Sequence, residues 1–274
     1  MGSSAAAPLL ALVLGLPPIA AASTPDPPDS KTSVATQGTT TEGQPAKPGA
    51  LRRLGGDFGR TVTSRASLWI FGVGGAAALL ARPLDDNIQR SRFNSELHDG
   101  TGLDALFEPG HRTGDVSVQV GGPLAMLAVG KLAGKARLTE LGGDLLRAQI
   151  VSGSITTLLK LSTKRQRPDA SNQLSFPSGH ASGAFATATV VQRRYGWKSG
   201  APAFGIAAWI AASRLNENKH FLSDVTFGAA IGIAAGRAVT TRRGSVQVTL
   251  APQIVPGGAG FQVSLSRQPG ASRP

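Results

Sequence analysis

Six stretches of this chain run without a charged side chain: Ala66–Ala81, Val116–Gly130, Ala148–Lys160 up to its closing lysine, Ala181–Gln192, Ser199–Ser213 and Val225–Gly236. Ala, Leu, Ile and Gly dominate them. Several end in Lys or Arg, which suits the negative end of a helix dipole. The pattern predicts an all-α fold, a bundle of about six helices. None of the six reaches the roughly 20 apolar residues that a bilayer-spanning helix wants. Many carry Gly, Ser, Thr or Gln, as buried core helices do. A soluble or peripheral bundle and an integral one both stay open.

Around this body the pattern changes. Residues 8–22 form a short apolar run with Ala20 and Ala22 placed as an A-x-A cleavage site, although Met1–Ala7 holds no Lys or Arg. This is expected to be an export signal, residues 1–22. Residues 23–50, rich in Pro, Thr, Ser, Gln and Gly, cannot bury enough surface to offset their ordering entropy and read as a disordered linker. The helical domain is expected over residues 51–243. Within it, Arg82–Thr113 is polar and holds Asp85, Asp86, Glu96, His98, Asp99, Asp104, Glu108 and His111. Their spacing matches no common metal-ligand motif, so a solvated loop or helix surface is expected there. Near the C-terminus, Val246, Val248 and Leu250 alternate with polar residues, as do Phe261, Val263 and Leu265, with a Pro-Gly-rich stretch between. That predicts a β-hairpin over 244–266 and a disordered tail over 267–274.

Composition narrows the chemistry. With 41% hydrophobic and 16% charged residues, the chain of 274 residues is not disordered throughout. It has no cysteine, which excludes disulfides, zinc–thiolate sites, iron–sulfur clusters and a thiol nucleophile. The net charge of +12, all of it from the body after residue 50, which by itself carries +13, points to an anionic partner.

Candidate chemistry lies in three pieces between residues 160 and 224. The first, Lys160 to Pro168, places Lys160, Lys164, Arg165 and Arg167 within eight residues. Lys160 and Arg167 share a helix face if the helix runs on to Pro168. They would make a dianion receptor there, or an exposed basic helix end. In the second, Phe176-Pro177-Ser178-Gly179-His180, Ser178 suits an N-cap and Gly179 a close backbone approach, so phosphate could sit at a helix start beside His180. A capped helix with an incidental histidine fits equally. In the third, Ser213 to Asp224, His220 and Asp224 stand four apart, as on one helix face, and Arg214 adds a guanidinium. An ordinary surface pair has the same spacing.

Together these pieces read K-x6-R-P, P-S-G-H and S-R-x5-H-x3-D. This resembles the three-part signature of the type 2 phosphatidic acid phosphatase family, which shares its fold with vanadium-dependent haloperoxidases. The resemblance spans Lys160–Asp224. It implies that His220 attacks phosphorus to form a phosphohistidine, that Asp224 orients it, and that His180 protonates the leaving oxygen and then activates water. It also implies that Lys160, Arg167 and Arg214 hold the phosphoryl oxygens, with Ser178 and Gly179 adding hydrogen bonds. Three fixed cations and a helix N-terminus would take the place of a metal, so no metal and no other cofactor is expected. His220 would start neutral and His180 protonated, giving a bell-shaped pH profile at mildly acidic to neutral pH.

The expected substrates are phosphomonoesters or diphosphates, among them phosphatidate and isoprenyl diphosphates. Small soluble esters, a vanadate-dependent haloperoxidase and a non-enzymatic binder of anions stand as alternatives. Nucleic acid is not expected, because aromatics are 5% of the chain with a single Tyr, too few for stacking platforms. His98 and His111 receive no role. Trp69, Trp197 and Trp209 are expected as core or interface anchors.

Overall fold

The computed structural model describes residues 49–92, 102–241, 246–255 and 258–267. The signal expected over 1–22, the linker expected over 23–50 up to residue 48, His98, and the tail from residue 268 lie outside the described residues; Ala50, the last linker residue expected, already opens a helix. Each of the six charge-free stretches falls inside a helix: α2 (Arg65–Ala81), α5 (Val116–Leu132), α6 (Ala136–Thr163), α7 (Gly179–Tyr195), α8 (Trp197–Asn216) and α9 (Leu222–Thr240). Three more helices, α1 (Ala50–Thr63), α3 (Asp85–Arg92) and α4 (Gly102–Gly114), bring the described residues to nine, against the six expected. These three are polar or amphipathic, so a search for charge-free runs passes over them. Strands β1 (Val246–Val255) and β2 (Gly258–Arg267) pair antiparallel, with Val248 opposite Leu265 and Leu250 opposite Val263.

Local chemistry sets several helix ends. The Ser64 hydroxyl accepts from the Ser67 amide at 3.2 Å to open α2, and Asp115 accepts from the Ser117 amide at 2.8 Å to open α5. Helix α6 stops at Thr163 because Lys164 turns left-handed, at φ 45°. The helix therefore ends five residues before Pro168, not at it, and Arg167 sits in the following loop instead of on the Lys160 face.

The core forms where α7 packs against α6, α8 and α9. Ala181, Ala186, Val190, Ile231, Ala234 and Ala235 are fully buried there. The α7–α9 contact is close because α9 presents glycine. A Cβ at Gly232 would stand 2.2 Å from the Ser182 carbonyl oxygen, and one at Gly228 2.6 Å from that of Ser178. Helix α9 thus runs against the first turn of α7.

The exterior differs from the sequence expectation in two respects. Helix α2 continues through a 3-10 turn, Arg82–Leu84, into α3, so Arg65–Ile88 is 24 residues long and, by length and composition, apolar enough to cross a membrane. The charge-free run understated it because Arg82 interrupts the run without ending the helix. Its outward residues Leu68, Trp69, Val73, Leu79 and Leu80 are more than half exposed. Leu222–Thr240 passes the same test but is mostly buried, as a core helix is. Trp69 and Trp197 are exposed, not core residues, while Trp209 bonds the Leu106 carbonyl at 3.2 Å.

Candidate active site

Three chain segments build the site: the end of α6 with the loop that follows, the first turn of α7, and the α8–α9 junction. Asp224 ties them together. Its backbone carbonyl accepts from the Ser178 amide at 3.0 Å. Its carboxylate accepts from the Ser175 hydroxyl at 2.5 Å, the Phe221 amide at 2.9 Å and the Arg165 guanidinium at 2.7 Å. Asp224 lies in the first turn of α9, where a carboxylate meets the free amides of the helix start. His220 lies outside that helix, two residues before it begins. The two are therefore not stacked on a helix face, as their spacing had suggested. The turn at Phe221 instead brings His220 Nδ1 to 3.6 Å from Asp224 Oδ2, an ion-pair contact longer than a hydrogen bond.

Ser178 is the N-cap of α7, buried, with Gly179 and His180 as the first two helical residues. Lys160 reaches from the last turn of α6 to the Leu174 carbonyl and, at 3.4 Å, to that of Ser175. Arg214 comes from the last turn of α8 and is 4% exposed. Its Nη1 bonds Glu217 at 2.6 Å and His111 Nδ1.

The electrostatics show how close these groups stand. Burial, with Arg167 and Arg214 nearby, pushes the Lys160 ammonium down to about 8. Burial, opposed by Asp224 and reinforced by Lys160 and Arg167, takes His220 down to about 4. Burial, with the charges of Arg214, His220 and His111, takes His180 down to about 3. Both imidazoles are thus neutral at neutral pH. That corrects the expectation that His180 starts protonated: burial first, and then the charges around it, disfavour its proton.

Arg167 Nε, His180 Nε2, Arg214 Nε and His220 Nδ1 are buried without a hydrogen-bond partner. Buried polar groups in native proteins are nearly always paired. His220 Nδ1 faces the Asp224 carboxylate, and the other three, on neighbouring cationic and imidazole side chains, describe a receptor for an anion with several oxygens. No group of three or more His, Asp or Glu side chains suited to a metal ion occurs among the described residues.

The structure adds residues that the sequence reading passed over. Asp85 is not solvated; it is 3% exposed and accepts from Arg165 Nη2 at 2.8 Å and from the Ser223 amide and hydroxyl at 2.9 and 2.6 Å. Arg165, one of the four cations within the stretch Lys160–Arg167 and given no role by the sequence, is turned inward between Asp85 and Asp224, with its guanidinium 4.2 Å over the Phe221 ring. Gln119 bonds the His180 carbonyl at 3.2 Å. His111 stacks on His180, the rings 5.8 Å apart and 8° from parallel. Sequence offered no signal for these four, since their partners lie about 60 to 140 residues away.

Fold and site together define a helical protein with a buried cluster of cationic and imidazole side chains. Residues 142–245 match the model of the PAP2 superfamily. The chain is 33% identical over 167 residues to the lipid A 1-phosphatase of Porphyromonas gingivalis, a match covering 59% of this chain and 35% of that protein. It is 35% identical over 89 residues to the lipid A 4'-phosphatase of Helicobacter pylori, covering 32% of this chain and 45% of that one. The chain thus spans less than half the length of these curated relatives. The crystal structure of Aquifex aeolicus LpxE superposes with a TM-score of 0.43 at 24% identity, over 58% of this chain and 94% of that one.

Proposed function

We propose that this protein is a metal-independent phosphatase that hydrolyses lipid phosphates, phosphomonoesters or diphosphates, through a phosphohistidine. One observation carries the reading: the unpaired buried nitrogens Arg167 Nε, His180 Nε2 and Arg214 Nε, grouped beside His220. Phosphoryl transfer demands in-line geometry and compensation for charge on three equatorial oxygens. Lys160, Arg167 and Arg214 supply that charge, and the amides at the start of α7, beside Ser178 and Gly179, supply further donors.

His220 Nδ1 faces Asp224, so Nε2 is the nucleophile. Its depressed basicity keeps the lone pair free at neutral pH. The N–P bond forms as the bond from phosphorus to the leaving oxygen breaks, and His180 Nε2 gives that oxygen its proton. His180 acquires this proton once a phosphoryl dianion offsets the surrounding cations. Water then attacks phosphorus, His180 takes a proton from it, and the N–P bond breaks to release phosphate.

The two lipid A phosphatases among the relatives and the exposed apolar face of α2 both support a lipid substrate met at a membrane surface. The extracytoplasmic side is proposed for the site, on the export signal read in residues 1–22. The test is phosphate release from p-nitrophenyl phosphate, phosphatidate and an isoprenyl diphosphate, with EDTA present. Turnover should survive EDTA and vanish in His220→Ala. Loss of activity on chelation, or full activity in the His220 variant, overturns the mechanism.

A further inference from the structure

The third imidazole at the site has no place in the mechanism above. His111 is held there by construction. It lies on α4 between Gly110 and Gly114, two glycines that let the helix press against the site. A Cβ at Gly110 would stand 3.0 Å from that of Ser213, and a Cβ at Gly114 2.6 Å from Ile210 and 2.8 Å from the His180 ring. The Trp209–Leu106 bond fixes α4 to α8 one turn earlier.

We propose that His111 and Glu217 form a clamp that positions Arg214 for phosphoryl oxygens, and that the proton-free Nδ1 of His111 is its working atom. Arg214 Nη1 has two hydrogens. One goes to Glu217 Oε2, at 2.6 Å, and the other to His111 Nδ1. His111 Nδ1 also stands 3.3 Å from Glu217 Oε1, but a guanidinium only donates, so in the clamp His111 accepts from Arg214 and its remaining proton lies on Nε2. With both Nη1 hydrogens taken, the rotation of Arg214 is fixed, and its buried Nε–H is left without a protein partner. Glu217 alone would draw the guanidinium toward its own carboxylate. The neutral imidazole holds the second hydrogen without cancelling charge, so the cation stays in place and stays positive. His111 is thus a positioning residue that acts through Arg214. The inference rests on the phosphatase reading of the site.

The test uses the full chain with p-nitrophenyl phosphate as substrate and orthovanadate as inhibitor. His111→Ala should lower kcat/KM and weaken orthovanadate inhibition by about tenfold each, the scale of one hydrogen bond to a charged group. His111→Asn, whose amide oxygen can occupy the Nδ1 position, should recover most of that loss. His111→Gln, which places its acceptor nearer Nε2, should not. In an Arg214→Lys background, which lacks the fork, His111→Ala should cost less than about twofold more. Equal losses in the Asn and Ala variants, multiplying effects in the Arg214→Lys background, or wild-type constants in His111→Ala each overturn the clamp. If His111→Ala fails to fold, the Asn–Gln contrast decides. If the wild type releases no phosphate, the phosphatase reading fails, and orthovanadate binding to wild type and the His111 variants, by calorimetry, still decides the clamp.

Discussion

Asp85→Ala gives the sharpest test of how the site is held. Asp85 is buried and accepts three hydrogen bonds, one from Arg165 and two from Ser223. Removing its carboxylate leaves the Ser223 amide buried and unpaired, at about 1–3 kcal/mol. It also takes one of two carboxylates from Arg165. Loss of a partner from a fully buried pair costs about 3–5 kcal/mol. Arg165 is 24% exposed and keeps Asp224 and the Phe221 ring, so the cost there is smaller. A total of about 3 kcal/mol is expected, which in a helical domain of this size lowers Tm by about 6–12 °C. Asp85→Asn keeps an acceptor for Ser223 and should lose about half as much. Thermal melts followed by circular dichroism measure both. A shift below about 2 °C for Asp85→Ala would refute a structural role for the Asp85–Arg165–Asp224 network.

Three further outcomes are expected. Gly232→Ala forces a methyl into the Ser182 carbonyl and should destabilise by about 1–3 kcal/mol, whereas Gly205→Ala, with open space around it, should stabilise slightly; paired melts compare them. Unfolded imidazoles gain protons below about pH 6.5, while folded His220 and His180 resist until about 4 and about 3. Stability is therefore full above pH 6.5 and lost as pH falls from there toward 4, and an Asn double variant should show a flatter Tm–pH slope; an unchanged slope would contradict the assignment. Replacing Leu68, Val73 and Leu80 with Ser should reduce sedimentation with phospholipid vesicles while leaving p-nitrophenyl phosphate turnover intact, since all three side chains are more than half exposed.

The helical class of the fold, six of its helices and the candidate site residues proposed to receive phosphate were readable from local information in the sequence. Charge-free runs mark buried helices, and Ser178, Gly179 and His180 are read from adjacent positions. Charge-free runs did not mark α1, α3 and α4, whose polar faces hide them, nor the continuation of α2 past Arg82. Spacing also misled where backbone geometry intervened. The left-handed turn at Lys164 took Arg167 off its helix, and the start of α9 at Leu222 left His220 outside. Which of the neighbouring cations turns inward was decided by tertiary structure alone. Arg165 and Arg167 are near neighbours of the same charge, and only the arrival of Asp85 from α3 turns one of them into a strut. His111 reaches Arg214 only because α4 packs on α8 at Gly110 and Gly114. Local sequence fixes what a residue can do; a contact spanning a hundred residues of chain decides which partner it does it with.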